Sequence, residues 1–297
     1  MTKTEPPDNP AVIFDRAALR KNRDRASRNF ADHNFLVQEV AARLHDKYLD
    51  ITRDFQHIVD LGCHGGEMAR LLKDKFVISQ DLSHGFLQKA AQSSGARVQA
   101  DEEQLPYRPQ SLDLVISNLS LHWVNDLPGC LAQIMQTLKP DGLFLASLIG
   151  GETLSELRRV MMEAEITIRG GASPRVSPFM DVRSGGSLLQ RAGFALPVAE
   201  VDRITVTYEN AFKLMQELKG MGEGNILLKR PRGLTSRRLM MECAKIYHEK
   251  FSDSRGRITA SFDIIYLMGW SPHKSQQQPL KPGQGKVNLT EVFGGKG

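Results

Sequence analysis

Residues 58–66 read Ile-Val-Asp-Leu-Gly-Cys-His-Gly-Gly, and this stretch decides the fold class. An apolar run ends at Asp60, a glycine-rich turn follows, and a helical pattern begins at Glu67. A strand that turns directly into a helix leaves backbone N–H groups free at the helix start, and glycine lets the backbone approach a ligand closely. An acid at the strand end accepts hydrogen bonds from an amine or a sugar hydroxyl. The stretch therefore indicates an α/β domain that binds a nucleoside-containing ligand.

The glycine spacing distinguishes between the nucleotide-binding families. A dinucleotide fingerprint requires Gly-x-Gly-x-x-Gly, whereas the glycines here are Gly62, Gly65 and Gly66, and the chain contains no phosphate-loop motif. The pattern Asp-Leu-Gly-Cys-x-x-Gly at 60–66 instead resembles motif I of the class I methyltransferases, which bind S-adenosylmethionine. His64 replaces that family's middle glycine, which costs some backbone freedom, but side chains at this point can face outward. The alternative is a strand-to-helix turn that binds no ligand.

Downstream of this turn, strand and helix patterns alternate. Residues 76–81 read as a second strand that ends in Asp81, 21 positions after Asp60 (81 − 60). Further strand-like runs begin at Arg97 and cover 112–118 and 142–149. A loop follows the run at Arg97, and a helical pattern that ends at Leu138 separates the last two runs. Such alternation predicts an α/β fold with a parallel sheet and right-handed crossover connections.

The acids that follow these strands are candidate ligands for a nucleoside. A carboxylate at Asp81 can accept hydrogen bonds from both ribose hydroxyls, although Asp81 or Ser83 can also cap the following helix. Asp101 resembles the adenine-binding acid of the methyltransferases. An exposed acidic loop is the alternative for this stretch, above all for Glu102 and Glu103.

The composition is that of an ordinary globular protein and excludes several functional classes. The chain has 297 residues, of which 41% are hydrophobic and 25% charged. No apolar run approaches the ~20 residues of a membrane span, and the acids and prolines of the first residues indicate neither a secretory signal nor a transit peptide. Three scattered cysteines indicate free thiols in a reducing compartment. The histidine and cysteine spacings suggest no metal site.

The rest of the sequence divides into segments around the predicted core. Residues 1–52 read as an N-terminal helical segment, 53–208 as the nucleotide-binding core, 209–253 as a helical cap insertion, 254–271 as an antiparallel last strand and 272–297 as a flexible tail. Within the core we expect a capping box formed by Thr153 and Glu156, a short helix over 187–192 and a strand over 198–208. We expect the cap to lie over the cofactor and to move about the glycines at 220, 222 and 224.

Much of the net charge of +5 comes from a basic segment near the N-terminus. Arg16, Arg20 and Arg23 lie at i, i+4 and i+7, so a helix would place them on one face. The segment has few aromatic residues, which does not favour nucleic-acid binding. The arginine face could recruit an acidic protein partner or contact the carboxylate of a cofactor. A solvated helix face is the alternative.

Motifs outside the nucleotide half carry a more specific resemblance, which extends from Phe14 to Trp270. They include Ser-Leu-His-Trp-Val-Asn-Asp-Leu-Pro at 120–128, Leu-Lys-Gly-Met-Gly-Glu at 218–223 and Tyr-Leu-Met-Gly-Trp at 266–270. With these motifs the chain resembles the complex I assembly factor 5 family, the methyltransferase-fold arginine hydroxylases of respiratory NADH dehydrogenase. It is more distantly similar to the malonyl-acyl-carrier-protein methyltransferase of biotin synthesis. Eukaryotic members of the first family are mitochondrial, and without a transit peptide this chain looks like a bacterial, cytoplasmic member.

The resemblance implies an enzyme that binds S-adenosylmethionine and hydroxylates an arginine of a complex I subunit. Methylation of a carrier-bound carboxylate is one alternative, and a non-catalytic assembly chaperone is another. Methyl transfer at a sulfonium requires mainly proximity and alignment. Hydroxylation requires an oxidant, and the sequence shows no two-histidine, one-carboxylate iron set at a recognisable spacing. Neither the catalytic residues nor the oligomeric state follow from the sequence.

The residues that we expect at the site fall into two groups. Arg16, His122 and Trp123 are expected to face the substrate, although Trp123 is equally suited to core packing. The expected cofactor-binding residues are Asp60, Gly62, Cys63, Gly65, Gly66, Asp81, Leu82, Asp101, Glu102 and Asn118.

Overall fold

A seven-stranded sheet forms the centre of the structure, a computed structural model that describes residues 12–93 and 95–277. In chain order the strands are β1 (Ile58–Leu61), β2 (Val77–Asp81), β3 (Ala96–Gln99), β4 (Leu112–Asn118), β5 (Leu138–Ile149), β6 (Ala195–Tyr208) and β7 (Ile258–Trp270). Their order across the sheet is β3-β2-β1-β4-β5-β7-β6.

The first five strands are parallel, and β7 lies antiparallel between β5 and β6. This arrangement confirms the predicted α/β fold with a class I methyltransferase sheet and an antiparallel last strand. The strand order reverses between β1 and β4. In an open sheet of this kind, ligands bind at the carboxyl ends of the strands next to such a reversal.

Helices cover both faces of the sheet in the described part of the chain. They are α1 (Arg16–Ala26), α2 (Phe35–Leu49), α3 (Glu67–Leu71), α4 (His84–Ala90), α5 (Leu127–Thr137), α6 (Ser155–Arg169), α7 (Val182–Arg191), α8 (Ala211–Met221) and α9 (Arg237–Phe251). Two short 3-10 turns cover Phe30–Asp32 and Leu121–Trp123.

Alternating side chains of the strands build one core on each face of the sheet. In β5, Leu143 and Leu145 belong to the larger core, which also contains side chains of α2, α6, α8 and α9. Phe144 and Ala146 point to the opposite face and pack with side chains of α5 and α7. The predicted N-terminal helices and the two helices of the predicted insertion therefore share a core with the sheet.

The segment that follows α8 returns to the N-terminal helix. Leu227 forms an isolated antiparallel bridge with Phe14, just before α1. A Cβ at Gly220 would lie 2.2 Å from the His33 ring, and one at Gly224 would lie 3.0 Å from the Asn22 amide nitrogen. These two glycines allow close packing against neighbouring elements, and the hinge motion expected of them stays a prediction. Within the predicted cap, the segment after α8 approaches the nucleotide end of the sheet. Helix α9 does not, because it packs against α6, α8 and β7.

The predicted capping box is wrong. The residue that precedes α6 is Leu154, in a left-handed conformation and without a side-chain cap. The Thr153 hydroxyl instead bonds with the backbone of Asp263, and the Glu156 carboxylate accepts hydrogen bonds from Ser261. These polar groups satisfy β7, a strand distant in sequence, and are therefore not available to the helix end.

Several boundaries also differ from the sequence predictions. Helix α7 begins at Val182, five residues earlier than expected, because Asp181 accepts a hydrogen bond from the Ser184 N–H and caps it. The first residues of the predicted tail form a turn in which Gln276 donates a hydrogen bond to Asp141. The remainder of that tail, 278–297, lies outside the described residues.

Candidate functional site

Gly62 holds the turn after β1 in a conformation that requires glycine. Its φ is +73°, and a Cβ at this position would lie 2.0 Å from Ser120 Oγ. The N–H groups of Gly62 and Cys63 both donate to the Gln80 carbonyl oxygen, at 2.8 and 2.9 Å. These contacts fix the turn between β1 and β2 and bring its backbone against the residues that follow β4.

The His64 side chain does not take the outward position that the sequence allowed. The side chain is buried, its Nε2 lies 3.1 Å from the Leu119 carbonyl oxygen, and its ring stacks on Phe30 at a centroid distance of 5.9 Å. Burial, together with the charge of Arg23, lowers the pKa of His64 to about 4, so the imidazole is neutral at neutral pH. The sequence could not reveal this position because Phe30 reaches it from a distant turn.

Asp60 is a buried carboxylate without a well-formed hydrogen bond. Its side chain is 1% exposed, and neither oxygen makes a hydrogen bond of standard geometry within the described residues. Burial, reinforced by the charges of Glu67 and Asp81, raises the pKa of Asp60 well above its ordinary value. A buried acid in this state is costly to the fold, and a ligand that donates hydrogen bonds would satisfy it.

A buried arginine links the acids at the ends of β2 and β3. The guanidinium of Arg23, on α1, is 1% exposed, and its Nη1 lies 3.0 Å from Glu102 Oε1 and 3.6 Å from Asp81 Oδ1. Its Nη2 donates to Ser120 Oγ at 2.9 Å. Burial works to raise the pKa of Glu102, but the charges of Arg23 and Arg16 bring that pKa down to about 2. Glu102 is therefore an anion in a buried ion pair.

Asp81 also accepts hydrogen bonds from two backbone groups. Its Oδ2 accepts from the His64 N–H at 3.1 Å and its Oδ1 from the Ser83 N–H at 2.7 Å. The side chain that caps α4 is that of Ser83, which accepts from the Phe86 N–H. Of the two capping residues considered from the sequence, the structure uses Ser83, and Asp81 is left to the site.

Arg16 reaches the same acids from the first turn of α1. Its guanidinium forms ion pairs with Asp101 and Glu102, and Nη1 donates to the Trp123 carbonyl oxygen at 3.2 Å. The exposed-loop interpretation is thus wrong for Glu102, which is fully buried.

The predicted recruiting surface of arginines is also wrong, although its helix is present. The Arg16 side chain is 14% exposed and that of Arg23 is buried, whereas the Arg20 side chain is 53% exposed. Two of the three cations therefore point into the acids at the sheet edge and cannot bind a partner in this conformation.

Among the other predicted cofactor-binding residues, three lie next to the turn. Gly66 has a φ of +83° and precedes α3, and Gly65 accepts a hydrogen bond from Arg70 through its carbonyl oxygen. Cys63 is buried against Leu87 and Ala90, and burial raises the pKa of its thiol well above the ordinary value. A protonated, buried thiol of this kind is not nucleophilic.

The last two predicted residues have mainly packing roles in the structure. Leu82 is half-buried and packs against a small apolar cluster that contains Trp123. Asn118 donates from Nδ2 to the Val37 carbonyl oxygen at 2.9 Å and accepts from Ser147 Oγ at 2.8 Å. Asn118 thereby joins β4 to α2 and β5.

The carboxylate of Glu223 lies apart from the acids described above, beside His122 and Trp123, two of the predicted substrate-facing residues. Its Oε2 accepts a hydrogen bond from Trp123 Nε1 at 2.8 Å and lies 3.3 Å from His122 Nε2. Burial works to raise the pKa of Glu223, but the hydrogen bond with His122 and the charge of Arg23 bring it below its ordinary value. The structure thus brings His122 and Trp123 together around an ionised carboxylate.

Glu223 lines a cleft at the carboxyl ends of β4 and β5. The cleft contains about 540 Å³ of empty space when the open solvent at its mouth is included. Apolar residues of α2, α6 and α8, the end of β5 and Phe262 of β7 form much of its wall, which also includes the aromatic rings of Trp123 and Phe179. Trp123 therefore has both a packing role and a place in the cleft wall.

The sequence analysis missed Arg23, Ser120 and Glu223 as site residues. Arg23 was considered only as part of a surface, and Glu223 only as the last residue of the motif at 218–223. The one local signal for Glu223 is a single acid between Gly222 and Gly224. Ser120 had no local signal, because its role depends on the close approach of Gly62.

Residues 12–93 and 95–277 contain no set of three or more histidine, cysteine or acidic side chains arranged to hold a metal ion. None of the helices in these ranges has the length and apolarity needed to cross a bilayer.

Comparison with known proteins agrees with this fold. Residues 59–146 match the family model described as a methyltransferase domain. The crystal structure of the YcgJ protein from Bacillus subtilis superposes with a TM-score of 0.56 at 14% identity, covering 77% of this chain and 98% of that one. This likeness establishes a shared methyltransferase-type fold.

Sequence relatives extend over almost the whole chain. The mitochondrial arginine-hydroxylase NDUFAF5 of Danio rerio is 38% identical over 287 residues, which cover 94% of this chain and 89% of the relative. A malonyl-[acyl-carrier protein] O-methyltransferase of Methylovorus sp. is 33% identical, with 92% and 96% covered. The higher identity to the first relative agrees with the motifs at 120–128, 218–223 and 266–270. The chain therefore belongs to the methyltransferase-fold family that contains the arginine-hydroxylase NDUFAF5.

Proposed function

We propose that this chain binds S-adenosylmethionine at the turn after β1 and hydroxylates an arginine side chain of a protein. Two features of the site support the binding of this cofactor. Asp60 offers the cofactor's amine a buried carboxylate that makes no hydrogen bond of standard geometry. Asp81 offers its carboxylate to the ribose hydroxyls, although it already accepts from two backbone N–H groups and lies beside Arg23. Asp101, 30% exposed in its side chain, is left for the adenine amine. When bound, the cofactor supplies a sulfonium that carries an electrophilic methyl group.

Arg16 and Arg23 contact the acids that this proposal gives to the nucleoside. Binding then requires the ribose to share Asp81 with Arg23 and the adenine to share Asp101 with Arg16. Gly62 and Ser120 pack closely against each other beside these acids. The role of Arg16 that follows is to hold the acids of the cofactor site, and not to face the substrate.

Calorimetry with S-adenosylhomocysteine and, separately, with NAD tests the cofactor. We expect binding of the first compound only. Replacing Asp81 with Ala should weaken this binding by about 1–3 kcal/mol, since hydrogen bonds to a carboxylate are lost. The matched control is Asp202→Asn, which removes an exposed carboxylate from β6. Folded protein that binds neither S-adenosylmethionine nor S-adenosylhomocysteine would contradict the proposal.

The observation that carries the proposed reaction is the 38% identity with an arginine-hydroxylase over 94% of the chain. Following the resemblance seen in the sequence, we propose that the arginine belongs to a subunit of respiratory complex I and that the protein is bacterial and cytoplasmic. Hydroxylation inserts one oxygen atom into a C–H bond, so it also needs an oxygen donor and an oxidant. Intact-mass measurement of the complex I subunits from a deletion strain and from the complemented strain tests this reaction. A subunit lighter by one oxygen atom in the deletion strain is expected, and identical masses would contradict it.

Methylation of a carrier-bound carboxylate is the second candidate, because the malonyl-[acyl-carrier protein] relative is 33% identical over 92% of the chain. This candidate predicts that the deletion strain requires biotin for growth. Growth without biotin, together with a lost oxygen on a complex I subunit, would leave hydroxylation as the function. Unchanged subunit masses and a retained physical association with complex I would instead indicate an assembly chaperone.

A further inference from the structure

The charges around the aromatic cleft indicate what kind of side chain it accepts. Two charged residues line it, Arg175 and Glu223. Arg175 is already neutralised, because its Nε and Nη2 lie 3.0 and 2.6 Å from Oε1 of Glu165, a buried carboxylate, and Nη1 donates to Thr235. The charge of Arg175 is therefore already compensated by Glu165.

Glu223 has no such counter-ion. Among residues 12–93 and 95–277 its one ion-pair contact is with His122, which is charged only when protonated. Both hydrogen-bonding contacts use Oε2, and Oε1 makes no hydrogen bond within those residues. The side chain is 21% exposed and lines the cleft. One oxygen of an ionised carboxylate is thus available to a ligand.

The walls beside this oxygen suit a flat cation. The rings of Trp123 and Phe179 lie 6.5 Å apart at 69° to one another, and the His122 ring lies 6.2 Å from Phe179. A guanidinium group is planar, donates from several N–H groups and is less strongly hydrated than an ammonium, so it can bond to a carboxylate while stacking on an aromatic face. A carboxylate ligand would meet the negative charge of Glu223 with no free cation beside it.

From this geometry we infer that Glu223, Trp123 and Phe179 form a receptor for the guanidinium of an arginine side chain. Glu223 Oε1 accepts from the guanidinium, and the two rings enclose it. This inference deepens the proposed hydroxylase function and rests on it for the identity of the natural substrate. The receptor makes Glu223 a specificity-determining residue that selects a cation over a carboxylate.

Trp123 provides a direct readout, because its indole N–H donates to Glu223 and the chain has only 2 tryptophans. The full chain labelled with nitrogen-15 is titrated with N-acetyl-arginine amide and, separately, with N-acetyl-citrulline amide, a neutral compound of nearly the same shape. Trp270→Phe assigns the two indole signals. We expect the Trp123 signal to shift saturably with the arginine compound. Citrulline should bind at least about tenfold more weakly, since it can donate to Glu223 but carries no positive charge.

Two variants test whether Glu223 causes this preference. Glu223→Gln keeps an acceptor for the Trp123 N–H and should bind both compounds equally weakly, whereas Glu223→Asp keeps the charge and should retain a preference for arginine. Glu163→Gln, which removes an exposed carboxylate of α6, should bind like the native chain. Equal binding of both compounds by the native chain would overturn the inference, and so would an undiminished preference in Glu223→Gln.

The same variants separate this inference from the proposed function. Suppose that arginine binding depends on Glu223, but that the complex I subunits of the deletion and complemented strains have the same masses. This result would contradict hydroxylation and leave the receptor supported. Normal hydroxylation by Glu223→Gln would contradict the receptor and leave the function supported.

Discussion

The carboxylates at the nucleotide end of the sheet and the carboxylate in the aromatic cleft differ in what neutralises them. Glu102 is fully buried and contacts two arginines of α1. Glu223 lies in a cleft wall without an arginine or lysine in ion-pair contact among the described residues. The first arrangement stabilises the fold, and the second leaves a charge available to a ligand. The two carboxylates thus differ in their counter-ions, although Asp81 and Asp101, which the proposed cofactor site also uses, are paired with arginine.

Asp60 shows a third state of a carboxylate. Burial and the charges of Glu67 and Asp81 raise the pKa of Asp60, whereas the hydrogen bond with His122 and the charge of Arg23 keep the pKa of Glu223 below its ordinary value. The difference teaches that a fold can hold an acid ready for a ligand in two ways. It can leave the acid without partners at some cost in stability, or it can satisfy one oxygen and leave the other free.

The largest effect in this comparison is expected from Arg23→Gln. The substitution leaves Glu102 and Asp81 buried with less positive charge, and loss of one partner of a buried ion pair costs about 3–5 kcal/mol of unfolding free energy. Urea unfolding measures this loss. Arg20→Gln, on the exposed side of the same helix, is the matched control and should change stability by less than about 0.5 kcal/mol. Equal losses in both variants would show that Arg23 is not a structural counter-ion.

A smaller, pH-dependent effect is expected from Glu102→Gln. The folded-state pKa of Glu102 is lowered from 4.5 to about 2, so its contribution is present above pH 4.5 and is lost as the pH falls toward 2. Such a shift corresponds to about 3 kcal/mol at neutral pH. Urea unfolding at a series of pH values should therefore show a gap between native chain and variant that closes on acidification. A gap that stays constant with pH would mean that the charge of Glu102 contributes little.

In the absence of ligand, Asp60→Asn should raise the free energy of unfolding, whereas the two preceding substitutions lower it. Because the pKa of Asp60 is raised, the acid destabilises the fold as the pH rises above its ordinary value of 3.8. The amide has no charge to bury, so the variant should be more stable than the native chain by about 1–2 kcal/mol at neutral pH. It should also bind S-adenosylhomocysteine more weakly. A variant that is less stable and binds normally would give Asp60 a structural role in place of a binding one.

The smallest effect on stability is expected from Glu223→Gln. Gln can still accept from Trp123, and no arginine or lysine of the described chain loses an ion pair, so the loss should be about 1 kcal/mol or less. Thermal and urea unfolding measure it beside Arg23→Gln. A loss as large as that of Arg23→Gln would remove the contrast between the two regions.

Sequence reasoning identified local features well and the packing of distant elements poorly. The turn at 60–66, the acids 21 positions apart and the alternation of elements were sufficient to predict the sheet, because each depends on near neighbours. Helical spacing placed Arg16 and Arg23 on one face correctly. It could not show that the face packs against Asp81 and Glu102, since that contact joins residues about 60 and 80 positions apart.

The errors have the same cause. Thr153 and Glu156 have the residue types and spacing of a capping box, but β7 offers them stronger partners about 110 positions away. His64 lies where the family pattern has a glycine, and its ring stacks on the ring of Phe30. A single sequence does not report which distant side chain competes for a polar group.

Trp123 belongs to both regions. Its carbonyl oxygen accepts a hydrogen bond from Arg16, and its indole N–H donates to Glu223, so one residue of a short turn contacts the counter-ion of one site and the acid of the other. A ligand that draws Arg16 away from this carbonyl acts on the residue that holds Glu223 in place. Any coupling free energy that results is reciprocal. The affinity for an arginine side chain then depends on the nucleoside, and the affinity for the nucleoside changes by the same factor when arginine is bound.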